Sequence, residues 1–83
     1  MYYAVTFVYT LPATPTQTVR LQRTLPVKAY TEYSAKEKAT TYILSTIVKL
    51  YGSDFIITEV KKVPDWAAFQ KVIEEGRSIK KLD

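Results

Sequence analysis

The side chains of this sequence that could do chemistry are mainly basic and aromatic. Arg20, Arg23 and Lys28 fall within residues 1–31, which contain no acid and so carry +3 of the net charge of +4. A basic surplus of this kind attracts phosphates without specificity, and it is equally usual on a plain solvated surface. The charge alone does not distinguish these two interpretations.

Aromatic residues are the second notable group, since the chain contains seven tyrosines in 83 residues. Tyr and Trp are enriched where one ring face is buried and the polar tip is wet, which describes protein interfaces as well as the rim of a small core. Trp66 and Phe69 fit either core packing or an interface anchor. The predicted partner-binding residues are Arg20, Arg23, Lys28, Tyr30, Tyr33, Trp66 and Phe69.

Nucleic-acid binding is the alternative function. Basic side chains would contact phosphates, and aromatic side chains of the sheet would stack on bases. The segment Tyr3-Ala4-Val5-Thr6-Phe7 lacks the basic, glycine-containing lead-in of the aromatic RNA-binding motif. The residues predicted for this alternative are Arg20, Arg23, Lys28, Lys61 and Lys62.

Enzymatic function is not expected. The chain has no histidine and no cysteine, which removes the usual general base, the thiol nucleophile and the commonest metal ligands. Gly52 and Gly76 are the only glycines and lie too far apart for a phosphate-cradling loop. We therefore predict a noncatalytic protein with no cofactor and no metal.

The element around which the chain is organised is a helix over residues 35–51. Ser34 and Glu37 have the spacing of a capping box, and Gly52 stands where a positive φ would end the helix. Its predicted apolar stripe consists of Ala35, Ala39, Tyr42, Ile43, Ile47 and Leu50.

Strand patterns flank this helix. Two prolines break the first strand, which predicts a hairpin turn over residues 11–15. Arg23 falls on the apolar side of the second strand, so either the strand bulges there or the side chain lies past the core edge. One domain, 1–83, is predicted, with strands at 2–10, 16–30 and 55–63, a second helix at 65–76 and a basic tail at 77–83. Alternatively, the second helix continues through Gly76, since Ile79 extends its apolar stripe.

The element order β-β-α-β-α predicts an α+β fold. We expect two layers, a three-stranded mixed sheet of order 2-1-3 and the long helix packed on one face. Strand 1 is the most apolar and belongs in the middle, while a right-handed crossover makes strand 3 parallel to strand 2. The other face would be covered by the short helix or left open.

The layout of residues 2–63 resembles short proteins encoded by phages and other mobile elements, with a hairpin, an Ala-rich helix (Ser34-Ala-Lys-Glu-Lys-Ala39) and a returning strand. It is also similar in outline to small ribosomal-protein modules. The phage resemblance implies a noncatalytic inhibitor or modulator that binds a host protein, such as a defence nuclease or a polymerase subunit.

The remaining expectations concern location and assembly. No apolar run approaches the roughly 18 residues of a membrane span, and no signal peptide is evident. We expect a cytoplasmic protein, in the host cytoplasm if it is phage-encoded, with a protein partner and no membrane contact. A homodimer that closes an open sheet face or edge is compatible with either function.

Overall fold

The computed structural model describes residues 1–82, which form an α+β fold. A long helix, residues 32–51, contains three consecutive segments, of which the middle one is a π-helical turn. The elements in chain order are β1 (Tyr2–Thr14), β2 (Gln17–Lys28), α1 (Glu32–Ile43), the π-helical turn (Leu44–Val48), α2 (Lys49–Tyr51), β3 (Phe55–Val63), α3 (Trp66–Glu75) and β4 (Lys80–Lys81).

The strands of residues 1–82 form one four-stranded sheet of order β3-β1-β2-β4. β1 lies between β2 and β3, as the sequence predicts. The predicted mixed, three-stranded sheet is wrong, because every neighbouring pair is antiparallel and a fourth strand is present. β2 and β3 do run parallel to each other, but β1 separates them and no parallel ladder forms.

The fourth strand comes from the segment predicted to be a basic tail. Lys80 and Lys81 of β4 pair with Gln22 and Leu21. The Leu82 amide donates a hydrogen bond to the backbone carbonyl oxygen of Arg20 in β2 at 2.9 Å. A two-residue strand shows no alternation of apolar and polar residues, so pattern analysis has nothing to detect. Asp83, the last residue of the predicted tail, lies outside the described residues.

The hairpin is longer than predicted, and the turn expected over residues 11–15 is wrong. Pro12 lies inside the ladder opposite Thr18, and the turn is reduced to Pro15 and Thr16. The first residue of β3, Phe55, pairs with Tyr9, so β3 does not extend along the outer part of the hairpin. That outer part is a two-stranded ribbon in which β1 is an edge strand. A proline is tolerated on an edge because no neighbouring strand needs its missing N–H.

The long helix begins earlier than the capping box at Ser34 indicates. Thr31 is the N-cap, in an extended conformation, and its side-chain oxygen accepts a hydrogen bond from the Ser34 amide at 3.0 Å. Glu32 then occupies the first turn, where a negative charge is favourable. The helix ends at Gly52 with φ of 64°, as predicted.

The π-helical turn keeps the buried side of the long helix against the sheet. Ala35, Ala39, Ile43 and Ile47 are all buried and recur every four residues. In an α-helix each four-residue step overshoots a full turn by about 40°, so this stripe would wind away from the sheet. A π turn rotates less per residue and returns Ile47 to the core. Leu50, expected in the same stripe, is 72% exposed.

Both faces of the sheet are covered, at least in part. The long helix packs on the face of β1 that carries Val5 and Phe7, which are completely buried. α3 packs on the opposite face through Phe69, which contacts Ala4 and Val63. The structure therefore has three layers over part of the sheet, where two were predicted. Of the two arrangements expected for the second face, covered by the short helix or left open, the covered one is observed.

α3 ends at Glu75, so the alternative in which the second helix continues through Gly76 is wrong. Gly76 is buried against β2. A Cβ placed on Gly76 would lie 2.5 Å from the Thr24 carbonyl oxygen and 3.4 Å from Cδ of Pro26. The φ of Gly76 is −64°, so close approach of α3 to β2, and not backbone conformation, requires glycine here.

We expect Gly76→Ala to lower the free energy of unfolding by about 1–3 kcal/mol, because the added methyl group collides with a backbone carbonyl that cannot rotate away. Urea denaturation followed by circular dichroism measures the change. Ser78→Ala is the matched control, since Ser78 is exposed and its loss should cost less than about 0.5 kcal/mol. Equal stability of the Gly76→Ala protein and wild type would contradict the close packing.

Candidate functional site

The charged side chains of the described residues all lie at least partly exposed. Among residues 1–82 no Asp, Glu, Lys or Arg side chain is buried, and no group of three or more His, Cys, Asp or Glu residues could hold a metal ion. In the same part of the chain, no helix is both long enough and apolar enough to span a membrane.

Three aromatic rings and one lysine form a cluster at the start of α3, called here the aromatic–lysine surface (Tyr2, Lys28, Trp66 and Phe69). The Tyr2 ring centroid lies 4.6 Å from that of Phe69 and 5.8 Å from that of Trp66. Trp66 and Phe69 are 5.9 Å apart. Lys28 Nζ lies 5.3 Å from the Trp66 centroid and 5.7 Å from that of Tyr2, within cation–π range of both rings.

Burial differs sharply across this surface. Phe69 is only 4% exposed and belongs to the small core under α3, which matches the core role considered for it. Trp66 is 48% exposed, so much of its indole ring remains open to a partner. Lys28 is exposed as well. The buried ring thus supports an open ring that has a positive charge beside it.

Local structure places these four side chains together. The Asp65 side chain accepts a hydrogen bond from the Ala68 amide at 2.8 Å and fixes where α3 begins. Trp66 therefore takes the first helical position, with Phe69 three residues later on the same side. Tyr2 and Lys28 lie directly opposite each other in the β1–β2 ladder.

Tyr2 is the member of this surface that the predicted site omits. Its contact with Lys28 depends on the β1–β2 register, and the predicted turn would have set a different register. The pairing of an aromatic residue at position 2 with a lysine at position 28 could have been found only after placing the turn at Pro15 and Thr16.

Tyr30 and Tyr33, also predicted to bind a partner, are outside the cluster of ring contacts that defines the aromatic–lysine surface. Tyr30 is 86% exposed in the loop after β2. Tyr33, 72% exposed, is near the start of the long helix, so the sheet separates it from the aromatic–lysine surface. The Glu37 carboxylate accepts a hydrogen bond from the Tyr33 hydroxyl and raises the pKa of Tyr33.

Arg23 connects β2 with the residue that follows α3. Its Nε donates to the Gly76 carbonyl oxygen at 3.0 Å, and its guanidinium carbon lies 6.0 Å from the centroid of the Tyr42 ring. The ladder is regular where Arg23 faces Phe7, so the predicted bulge is wrong. Burial raises the pKa of Tyr9, and the nearby charge of Arg23 opposes that shift only in part.

The five basic residues predicted to contact nucleic acid do not share one face. Alternation along the paired strands puts Arg23 and Lys62 on the side of the long helix, and Arg20, Lys28 and Lys61 on the side of α3. These positions do not form a single basic path for a phosphate backbone.

The sheet aromatics expected to stack on bases are covered. Tyr3, Phe7 and Tyr9 lie under the long helix and are at most 5% exposed. Tyr2, on the other side, packs against α3. A base could reach Tyr3, Phe7 and Tyr9 only if the long helix moved off the sheet.

The Asp65 cap should control the position of Trp66. We expect Asp65→Ala to lower the free energy of unfolding by about 1 kcal/mol, because the Ala68 amide loses its acceptor. Asp65→Asn keeps a side-chain oxygen and should stay close to wild type. Urea denaturation followed by the fluorescence of Trp66, the single tryptophan, measures both. An equal loss in the two variants would assign the effect to the charge and not to the cap.

No family model, curated protein or solved structure matches this chain.

Proposed function

We propose that this protein is a noncatalytic binding protein that attaches to a protein partner through the aromatic–lysine surface. The observation that carries the proposal is the half-exposed Trp66 ring, held against Phe69 and Tyr2 with the Lys28 ammonium group beside it. Tryptophan and tyrosine in such a setting are among the side chains that dominate binding energy at interfaces.

The arrangement limits the cost of binding. Phe69 is buried and Tyr2 packs on it, so the platform under Trp66 is ordered before a partner arrives. Rigid aromatic groups lose little conformational freedom on association, and affinity rises when this cost falls. The Lys28 side chain is likewise already placed over two rings.

The chemistry of the surface defines the partner. An apolar pocket that accepts the exposed part of Trp66, with carboxylates at its rim to face Lys28, complements both features. The acid-free stretch of residues 1–31, with a charge of +3, supports the preference for an acidic partner. Covering such a patch on an enzyme would inhibit or redirect that enzyme, as the resemblance to phage proteins implies. If the protein is phage-encoded, it would act in the cytoplasm of the host.

Nucleic-acid binding is the weaker alternative. Its basic residues lie on two faces of the sheet, and three of the sheet aromatics, Tyr3, Phe7 and Tyr9, are buried. The Nε of Arg23 also already donates a hydrogen bond to the Gly76 carbonyl oxygen. These facts favour a protein partner.

Affinity capture from the native host's lysate tests the proposal when four baits are compared: wild type, Trp66→Ala, Lys28→Glu and Leu50→Ala. Leu50 is an exposed apolar residue on the long helix and serves as the matched control. A specific partner should bind wild type and Leu50→Ala, and with purified partner Trp66→Ala should weaken binding about 30-fold or more. Lys28→Glu should also weaken it.

Nuclease treatment separates the two functions in the same experiment. A captured protein that persists after nuclease and is lost with Trp66→Ala supports the proposal. Capture that disappears with nuclease would establish the nucleic-acid alternative. Capture that is equal for all four baits would show that the aromatic–lysine surface does not bind the partner.

A further inference from the structure

β3 is an edge strand whose outer side is unpaired in the part of the chain that the structure describes. β1 occupies its inner side, while β4 pairs only with β2 at the other end of the sheet. β3 is nine residues long, and Ile56 within it is 69% exposed. Such an edge presents free N–H and C=O groups to any strand that can align with it.

We propose that the occupant of this edge is β3 of a second copy of the chain, paired antiparallel around a two-fold axis at Val60. The pairing is independent of the aromatic–lysine surface. It would join two four-stranded sheets into one continuous sheet and remove the open edge from both copies.

The charges of β3 select this register. Glu59 faces Thr6 and Lys61 faces Ala4 on β1, so the two charged side chains share the α3 side of the sheet. An axis at Val60 sets Glu59 of each copy opposite Lys61 of the other. Two favourable cross-strand pairs then form, related by the symmetry.

Other two-fold registers lose this complementarity. An axis at Glu59 or at Lys61 places like charges opposite each other, which is unfavourable. An axis at Thr58 sets Glu59 opposite Ile57. Glu59 is the only acidic residue of β3, so only the axis at Val60 gives it a lysine directly opposite. The bulge in β3 lies beyond Glu59, outside the three central pairs.

The long-helix side of the edge also has room for a second copy. A groove of about 530 Å³ separates β3 from the start of α1 and is lined by Glu32, Tyr33 and Lys36 together with residues 57–60. Because the two-fold axis is perpendicular to the sheet, the two grooves meet over Val60. The exposed Tyr33 ring lines this groove and would be covered by the second copy.

Charge-reversal variants test the pairing by sedimentation velocity, from low micromolar to near-millimolar protein. Wild type should approach twice its monomer mass of 9.5 kDa. Glu59→Lys and Lys61→Glu should each weaken self-association on the order of 10- to 100-fold, since both pairs become repulsive. An equimolar mixture of the two variants should associate again, because the lysines of one then face the glutamates of the other.

The doubly reversed protein, with Glu59→Lys and Lys61→Glu in one chain, should associate like wild type and shows that the substituted strand folds. Trp66→Ala should leave self-association unchanged, which separates this proposal from partner binding. Wild type that stays monomeric over the whole range would overturn the proposal. So would association that persists in both single variants, or a mixture that fails to associate.

Discussion

The fold depends on the burial of both faces of β1 while both of its edges are paired. Val5 and Phe7 are fully buried beneath the long helix, and the alternate residue Ala4 is buried beneath α3. A one-residue slip in register would exchange these two sets, so the two cores together hold the strand in place. The positions of β2, β3 and both helices follow from this single buried strand.

The α+β class and the central place of β1 could be predicted from the sequence, because both depend on apolar content and chain order. The hairpin turn could not, since Pro12 is excluded from a ladder only when a neighbouring strand needs its N–H, and β3 stops short of it. The helix start was also ambiguous. Thr31 and Ser34 are both good caps, and nothing local to either residue decides between them.

The candidate site likewise has features that could be predicted from the sequence and features that could not. Trp66 and Phe69 could be singled out by residue type, and Lys28 by charge. Their grouping with Tyr2 could not be found, because it requires the β1–β2 register and the packing of α3 across it. Tyr33 is a candidate by its ring, yet it lies on the other side of the sheet. Residue type thus indicates candidates, whereas tertiary contacts decide which of them act together.

The π-helical turn has a consequence for changes in chain length. Ile43 and Ile47 span this turn, which takes up the offset that the four-residue steps from Ala35 onward accumulate. Removal of one residue between them would bring the spacing to three, and a plain α-helix could then bury the same side. A chain shortened by one residue within this turn would then present the same apolar side of the long helix to the sheet.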